Sequence, residues 1–214
     1  MKLIKITYEN AKGEELAGRL DLPADKEPHN YAVFAHCFTC NKNIAAVKNI
    51  SRALTSNGFG VLRFDFTGLG ESEGDFENTN FSANVDDLIT ITRKFGRDYE
   101  DPALMIGHSL GGAAAVFAAE KLSEIKAVAT IGAPSNPGHV KKLLSSGIDE
   151  IKEKGYADIT LAGREFTIKK QFLDDLENKD LPYVAANFEK SLLVMHSPED
   201  NVVGIDNAAE IYKA

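Results

Sequence analysis

The chain has 214 residues, of which 43% are hydrophobic and 26% are charged, a composition that is typical of a globular domain and excludes a wholly disordered chain. Acidic residues outnumber basic ones by 32 to 24, which gives a net charge of −8. Because the sequence also contains no cluster of Lys and Arg residues, we predict no nucleic-acid partner. Because neither a secretory signal nor a membrane span is predicted, we expect one cytoplasmic domain over residues 1–214 that does not bind membranes.

The first 134 residues alternate between strand and helix patterns. The predicted elements are a β-hairpin over 3–22 with its turn at 10–13, buried strands over 31–36, 59–66, 103–107 and 127–134, and helices from Asn43, over 82–95 and from Leu110. This alternation predicts right-handed βαβ units, which build a mostly parallel, doubly wound sheet.

The strand–helix rhythm stops between residues 135 and 190. This segment is highly charged and contains two helical patterns around a predicted hairpin at 156–168. A further buried strand is predicted at 191–196. Because the interruption carries its own secondary structure, we predict that residues 135–190 form a cap inserted in the domain, over one end of the sheet.

The segment I-G-H-S-L-G-G at residues 106–112 matches the G-x-S-x-G nucleophile elbow, in which a serine sits on a strained turn between a strand and a helix. A buried strand precedes the motif and an Ala-rich helix follows it, as the motif requires. The alternative is a Gly-Ser turn that only packs a helix on a sheet. We favour the elbow, with Ser109 as the nucleophile.

A serine nucleophile needs a base and hydrogen-bond donors for the developing oxyanion. One donor is predicted to be the backbone N–H of Leu110, and the other comes from the loop after strand 31–36, at Cys37 or Phe38. The acid that orients the base is predicted at Asp200, in the loop after strand 191–196, with Glu199 as the neighbouring alternative.

Four segments together resemble an α/β-hydrolase, and most closely the hydrolase half of bacterial proteins that fuse it to an OsmC-like domain. They are G-H-S-L-G-G, D-F-T-G-L-G-E-S-E-G, F-A-H-C-F-T-C-N-K and L-V-M-H-S-P-E-D. The resemblance implies that Ser109 is the nucleophile and Asp200 the acid, and that Phe38 and Leu110 form the oxyanion hole. It also implies an eight-stranded sheet with an antiparallel second strand, a helical cap after the sixth strand, and an OsmC-like domain in the longer protein.

The resemblance places the catalytic histidine after Asp200, but no histidine follows that residue in the sequence. We therefore expect that the chain is truncated before its catalytic histidine, its final strand and its final helix, and has little turnover as it stands. The alternatives are a base from a second chain, an altered geometry that uses His36 or His196, and a pseudoenzyme. Truncation would leave strand 191–196 as an exposed edge able to pair in a homodimer.

Cys37 and Cys40 form a C-x-x-C motif directly after a strand. This motif can act as a dithiol redox centre, although the surrounding pattern is not thioredoxin-like, and two sulfurs fall short of a zinc site. We predict instead that Cys37 lines the substrate pocket, together with His36 and His108.

The sequence therefore predicts a serine hydrolase with an α/β-hydrolase fold that forms an acyl-enzyme at Ser109. Its substrate is predicted to be a small carboxylic ester or thioester, and no metal or cofactor is expected. Two alternatives stay open at this point. One is a non-catalytic module that partners an OsmC-like peroxide-reducing domain, and the other is a dithiol redox protein that uses Cys37 and Cys40.

Overall fold

The computed structural model describes residues 1–177 and 179–214. The strands are β1 (Lys2–Glu9), β2 (Glu15–Leu22), β3 (Asn30–Ala35), β4 (Phe59–Phe64), β5 (Leu104–His108), β6 (Ala127–Ile131), β7 (Tyr156–Leu161), β8 (Arg164–Lys169) and β9 (Ser191–Met195). The α-helices are α1 (Ala45–Ser56), α2 (Phe81–Asp98), α3 (Leu110–Glu120), α4 (Ile148–Lys154), α5 (Lys170–Asp175), α6 (Leu181–Ala186) and α7 (Asp206–Lys213).

Seven strands of the described chain form one sheet in the order β1-β2-β4-β3-β5-β6-β9. Strand β2 runs antiparallel to both neighbours, and the pairs from β4 to β9 are parallel. The mostly parallel sheet with an antiparallel second strand is confirmed. The resemblance implied eight strands in this sheet. The described residues form seven of them, and β9 lies at the edge of the sheet.

Two helices begin at residues other than those predicted, because of the hydrogen bonds that nearby asparagine side chains form. Helix α1 begins at Ala45 rather than Asn43, since the Oδ1 atom of Asn43 accepts a hydrogen bond from Arg63 and does not cap the helix. Helix α2 begins one residue early, because the Asn80 side chain accepts a hydrogen bond from the Ala83 N–H at 2.8 Å.

The inserted segment after β6 folds as a short 3-10 helix (Pro137–Leu144), the helices α4 to α6, and the antiparallel hairpin β7–β8. The predicted hairpin is therefore present, and the described residues form three α-helices and a 3-10 helix where two helical patterns were predicted. Apolar cap residues such as Phe172 and Leu181 belong to the same buried cluster as the side chains of α3. The cap thus shares a hydrophobic core with the sheet rather than standing apart from it.

Helix α3 is buried along almost its whole length, and two glycines allow it to lie against the sheet. A Cβ atom on Gly111 would lie 2.2 Å from the carbonyl oxygen of His36, and one on Gly107 would lie 2.3 Å from that of Gly111. These distances are far below van der Waals contact, so both positions require glycine. The close approach fixes the start of α3 against the end of β3.

No helix among the described residues is long and apolar enough to cross a membrane.

The substitution Gly111→Ala should lower the free energy of unfolding by about 3 kcal/mol, because the added methyl group meets a backbone oxygen that cannot move alone. Gly204→Ala is the matched control, since Gly204 is exposed and has open space around it. We expect this control to change stability by less than about 0.5 kcal/mol. Urea unfolding of the three proteins measures both values, and equal stabilities would contradict the close approach.

Candidate active site

Ser109 occupies the turn between β5 and α3 with φ 54° and ψ −127°, a conformation that a non-glycine residue rarely adopts. Its N–H donates to the carbonyl of Ile131 at 2.8 Å, and its own carbonyl accepts from the Gly112 N–H at 2.8 Å. These bonds join the turn to β6 and to the first turn of α3. The surrounding backbone therefore holds the strained turn in place, as an elbow requires.

A cavity of about 360 Å³ lies in front of Ser109. Its lining brings together Ser109, Asp200, Cys37, Phe38 and His108, which the sequence predicted as site residues from three separate segments. Leu143 and Leu161 of the cap contribute to the same lining. Leu110 is buried at the first position of α3, where its N–H lies at the N-terminus of the helix. The structure therefore places six of the seven predicted site residues at or beside one cavity.

His36 is the exception, because its side chain is 1% exposed and does not line the cavity. Its Nδ1 atom lies 2.9 Å from the Cys37 carbonyl, and its Nε2 atom accepts from the Phe66 N–H at 3.4 Å. Burial lowers the pKa of His36 to about 4, so the ring is neutral near pH 7 and donates through Nδ1. The prediction that His36 lines the substrate pocket is wrong, since its buried ring hydrogen-bonds to the backbone of Cys37 and Phe66.

Asp200 is held by its own loop. Its Oδ1 atom accepts hydrogen bonds from the N–H groups of Val202 and Val203, both at 2.9 Å. Desolvation raises the pKa of Asp200, but these two N–H groups and the nearby rings of His196 and His108 outweigh it and hold the pKa below its usual value. The carboxylate is therefore charged at neutral pH.

Four of the five histidines of the chain hydrogen-bond to backbone groups through their rings, and His108 lines the cavity. The rings of His139 and His196 contact the carbonyls of Val202 and Val203, both at 2.6 Å, and so brace the Asp200 loop. The ring of His29, which does not line the cavity, hydrogen-bonds to the carbonyl of Asn57. Desolvation lowers the pKa of half-buried His108, against the opposing charge of Asp200. Within the described part of the chain, no hydrogen bond joins a histidine ring to the Ser109 hydroxyl.

Residues 36–42 follow β3 and are called here the oxyanion loop, because the predicted donor Phe38 lies within it. Cys37 and Cys40 are joined by a disulfide, so the free dithiol considered from the sequence is not what the structure holds. Thr39, inside this disulfide, has a left-handed φ of 60°. The cap reaches the loop twice: Arg164 donates to the Thr39 carbonyl, and the Phe172 ring lies 5.3 Å from that of Phe38.

A buried ion pair, which sequence reasoning missed, anchors the far end of the oxyanion loop. The Lys42 side chain is fully buried, and its ammonium group contacts Asp65 and lies 2.7 Å from the carboxylate of Glu71. The Oδ1 atom of Asp65 also accepts from the Lys42 N–H at 2.6 Å, and its Oδ2 atom accepts from the Glu71 N–H at 2.9 Å. Asp65 therefore ties the oxyanion loop to the glycine-rich loop after β4.

A second buried ion pair, between Arg63 and Asp21, also contacts the oxyanion loop. The Arg63 Nε atom lies 2.9 Å from the Oδ2 atom of Asp21, joining β4 to β2. Its Nη1 atom donates to the Lys42 carbonyl at 2.8 Å. The signal available in the sequence was Arg63, the single charged residue in the apolar strand β4, since a charge there is rare unless it is paired.

The family model Hydrolase_4, described as serine aminopeptidase, S33, matches residues 26–181. The esterase domain of a Rhodothermus marinus protein is 49% identical with a TM-score of 0.77, and the match covers 100% of this chain and 83% of that one. No curated protein matches the chain.

Two more distant solved structures are similar in fold. Alpha/beta hydrolase domain-containing protein 10 from mouse is 20% identical with a TM-score of 0.76, over 98% of this chain and 84% of that one. Est1E from Butyrivibrio proteoclasticus with bound ferulic acid is 20% identical with a TM-score of 0.77, over the same shares of the two chains. At this identity the likeness concerns the fold alone.

Replacing Lys42 by methionine should lower the free energy of unfolding by about 3 to 5 kcal/mol, because the charge of Asp65 then stays buried without its cation. Lys154→Met is the control, since Lys154 forms an exposed pair with Glu150 one helical turn away, and should change stability by less than about 0.5 kcal/mol. Denaturant unfolding at pH 7 compares the two variants. A Lys42 variant as stable as the parent would show that the pair does not hold the loop.

Protonation of His36 should destabilise the fold as the pH falls. Its pKa is near 6.5 in the unfolded chain and about 4 when folded, so the unfolded state binds the extra proton between these values. The free energy of unfolding should therefore fall between pH 6.5 and pH 4, by up to about 3 kcal/mol from this group. His36→Gln should lack this part of the loss, which unfolding curves at several pH values measure. Parallel pH profiles for parent and variant would contradict the assignment.

Proposed function

Because the chain belongs to the Hydrolase_4 family (serine aminopeptidase, S33) and has the α/β-hydrolase fold, we propose that it hydrolyses carboxylic esters or thioesters through an acyl-enzyme on Ser109. The observation that carries the proposal is the strained turn of Ser109, which opens into a cavity shared with Asp200. The 49% identity to a domain described as an esterase favours esters over peptides as substrates. The OsmC-like partner domain, the homodimer and the cytoplasmic location stay predictions from the sequence.

In the proposed reaction the Ser109 Oγ atom attacks the ester carbonyl while its proton passes to a general base. The N–H groups of Phe38 and Leu110 then donate to the oxyanion of the tetrahedral intermediate. The N-terminus of α3 adds to this stabilisation, since the helix dipole favours negative charge there. The alcohol leaves with the proton from the base, and water hydrolyses the resulting acyl-enzyme.

The proposal assigns the general base to a histidine that follows Asp200 in the order Ser, Asp, His and lies outside residues 1–214. Two observations support this assignment. The hydrogen bonds formed by the rings of His36, His139 and His196 are to backbone groups, and none among the described residues joins a histidine to the Ser109 hydroxyl. Moreover, the carboxylate of Asp200 is charged and lines the cavity, where it could orient an imidazole supplied from elsewhere.

The test uses a longer chain that continues past Ala214 to its next histidine. This protein should cleave p-nitrophenyl acetate, and Ser109→Ala should lower kcat by at least about 10³-fold, because no other group forms the acyl-enzyme. Ser123→Ala is the control, since Ser123 is exposed beyond the far end of α3, and should keep the parent rate. Labelling by a fluorophosphonate should occur on Ser109 alone. Equal rates for parent and Ser109→Ala would overturn the proposal.

A further inference from the structure

The disulfide of the oxyanion loop lies on the wall of the proposed active site. Cys37 lines the cavity together with Ser109, and both cysteines are partly exposed. The bond encloses two residues, Phe38 and Thr39, and the N–H of Phe38 is one of the two proposed oxyanion donors. A chemical change at this bond therefore acts on one donor without touching the nucleophile.

The backbone inside the disulfide is strained at Thr39. A β-branched residue rarely adopts a φ of 60°, and such a conformation persists only where the surroundings hold it. Within the turn, the Cys40 N–H donates to the Cys37 carbonyl at 3.1 Å, and the Thr39 hydroxyl donates to the Phe38 carbonyl at 2.7 Å. The disulfide spans the same turn covalently. When it opens, Thr39 can relax to an unstrained conformation, and the N–H of Phe38 turns with it.

Other contacts of the loop do not depend on the disulfide. Lys42, outside the turn, stays bound to Asp65, whereas Arg164 and Phe172 of the cap contact Thr39 and Phe38 within the turn. The loop therefore stays attached when the bond opens, while the segment between the cysteines loses its covalent constraint. We expect a graded loss of oxyanion stabilisation rather than unfolding.

We propose that Cys37 and Cys40 form a thiol–disulfide exchange site that takes dithiol reductants, and that its reduction lowers the hydrolase activity by releasing the donor at Phe38. This inference rests on the proposed function of Ser109. It concerns a reaction at sulfur that ester hydrolysis does not use, and it gives the C-x-x-C segment a regulatory role.

The exchange balances in two steps. A thiolate of the dithiol attacks the Cys37 sulfur, so that a mixed disulfide forms, the Cys37–Cys40 bond breaks, and Cys40 leaves as a thiolate that takes up a proton. The second thiolate of the reductant then attacks the mixed disulfide and releases Cys37, which is also protonated. Two electrons and two protons pass to the cysteine pair, and the reductant becomes a disulfide.

An organic hydroperoxide can restore the bond. One cysteine thiolate attacks the peroxide and becomes a sulfenic acid, while the peroxide is reduced to an alcohol. The other cysteine then attacks the sulfenic sulfur, so that the disulfide forms and water leaves. The pair would thus respond to both dithiols and peroxides near the active site.

The experiment uses the longer, active chain described above. The oxidised protein is treated with dithiothreitol and desalted, its thiols are counted with dithionitrobenzoate, and its hydrolysis of p-nitrophenyl acetate is measured. Reduction to two thiols should lower kcat at least about tenfold with little change in KM, since the full removal of one oxyanion donor costs on the order of 10²-fold or more. Reoxidation with cumene hydroperoxide should restore the rate.

The double variant Cys37→Ser/Cys40→Ser should have the low rate from the start and should not respond to dithiothreitol. Hydrogen exchange of residues 37–40 supplies a readout that needs neither variant nor activity, because exchange there should rise when the parent is reduced. Two titrated thiols with an unchanged kcat and unchanged exchange would overturn the inference. Full activity in Ser109→Ala would instead overturn the proposed function, and exchange would still report whether the loop is released.

Discussion

The buried carboxylate of Asp65 is the point on which the candidate site depends. It lies at the end of β4 and accepts hydrogen bonds from the backbone and the ammonium group of Lys42 and from the N–H of Glu71. A carboxylate can be buried there only because a cation and backbone donors replace its water shell. The same contacts fix where the oxyanion loop ends. An ion pair that takes no part in the proposed chemistry therefore anchors the loop that carries Phe38.

The second constraint is the narrow gap between α3 and the ends of the central strands. Gly107 and Gly111 leave this gap open, and the strained turn of Ser109 follows from the short distance in which the chain must reverse direction. The carbonyl of His36 closes the gap from the side of β3. Thus the first turn of α3, which follows Ser109, lies against the backbone of His36 at the start of the oxyanion loop.

Much of this arrangement could be predicted because it depends on local patterns. The apolar runs gave the sheet, and the elbow motif placed Ser109 between a strand and a helix. The partners of these buried charges could not be predicted, since those of Lys42 and Arg63 lie 23 and 42 residues away, and nothing around Lys42 in the sequence separates a buried lysine from an exposed one. The prediction that His36 lines the pocket was wrong for the same reason. Its ring turns into the protein to bond the backbone of Phe66, a contact that only the folded chain defines.

The cap adds a further condition on the oxyanion loop. Arg164 holds the carbonyl of Thr39, and Phe172 packs against the ring of Phe38, so the loop lies between the Asp65 anchor on one side and the cap on the other. Leu161 also brings the cap hairpin to the wall of the cavity. Because the hairpin both lines the cavity and bonds the loop, a ligand that displaces the hairpin must also disturb the backbone that carries the proposed donor. The cap hairpin and the backbone of the proposed donor are therefore parts of one contact network.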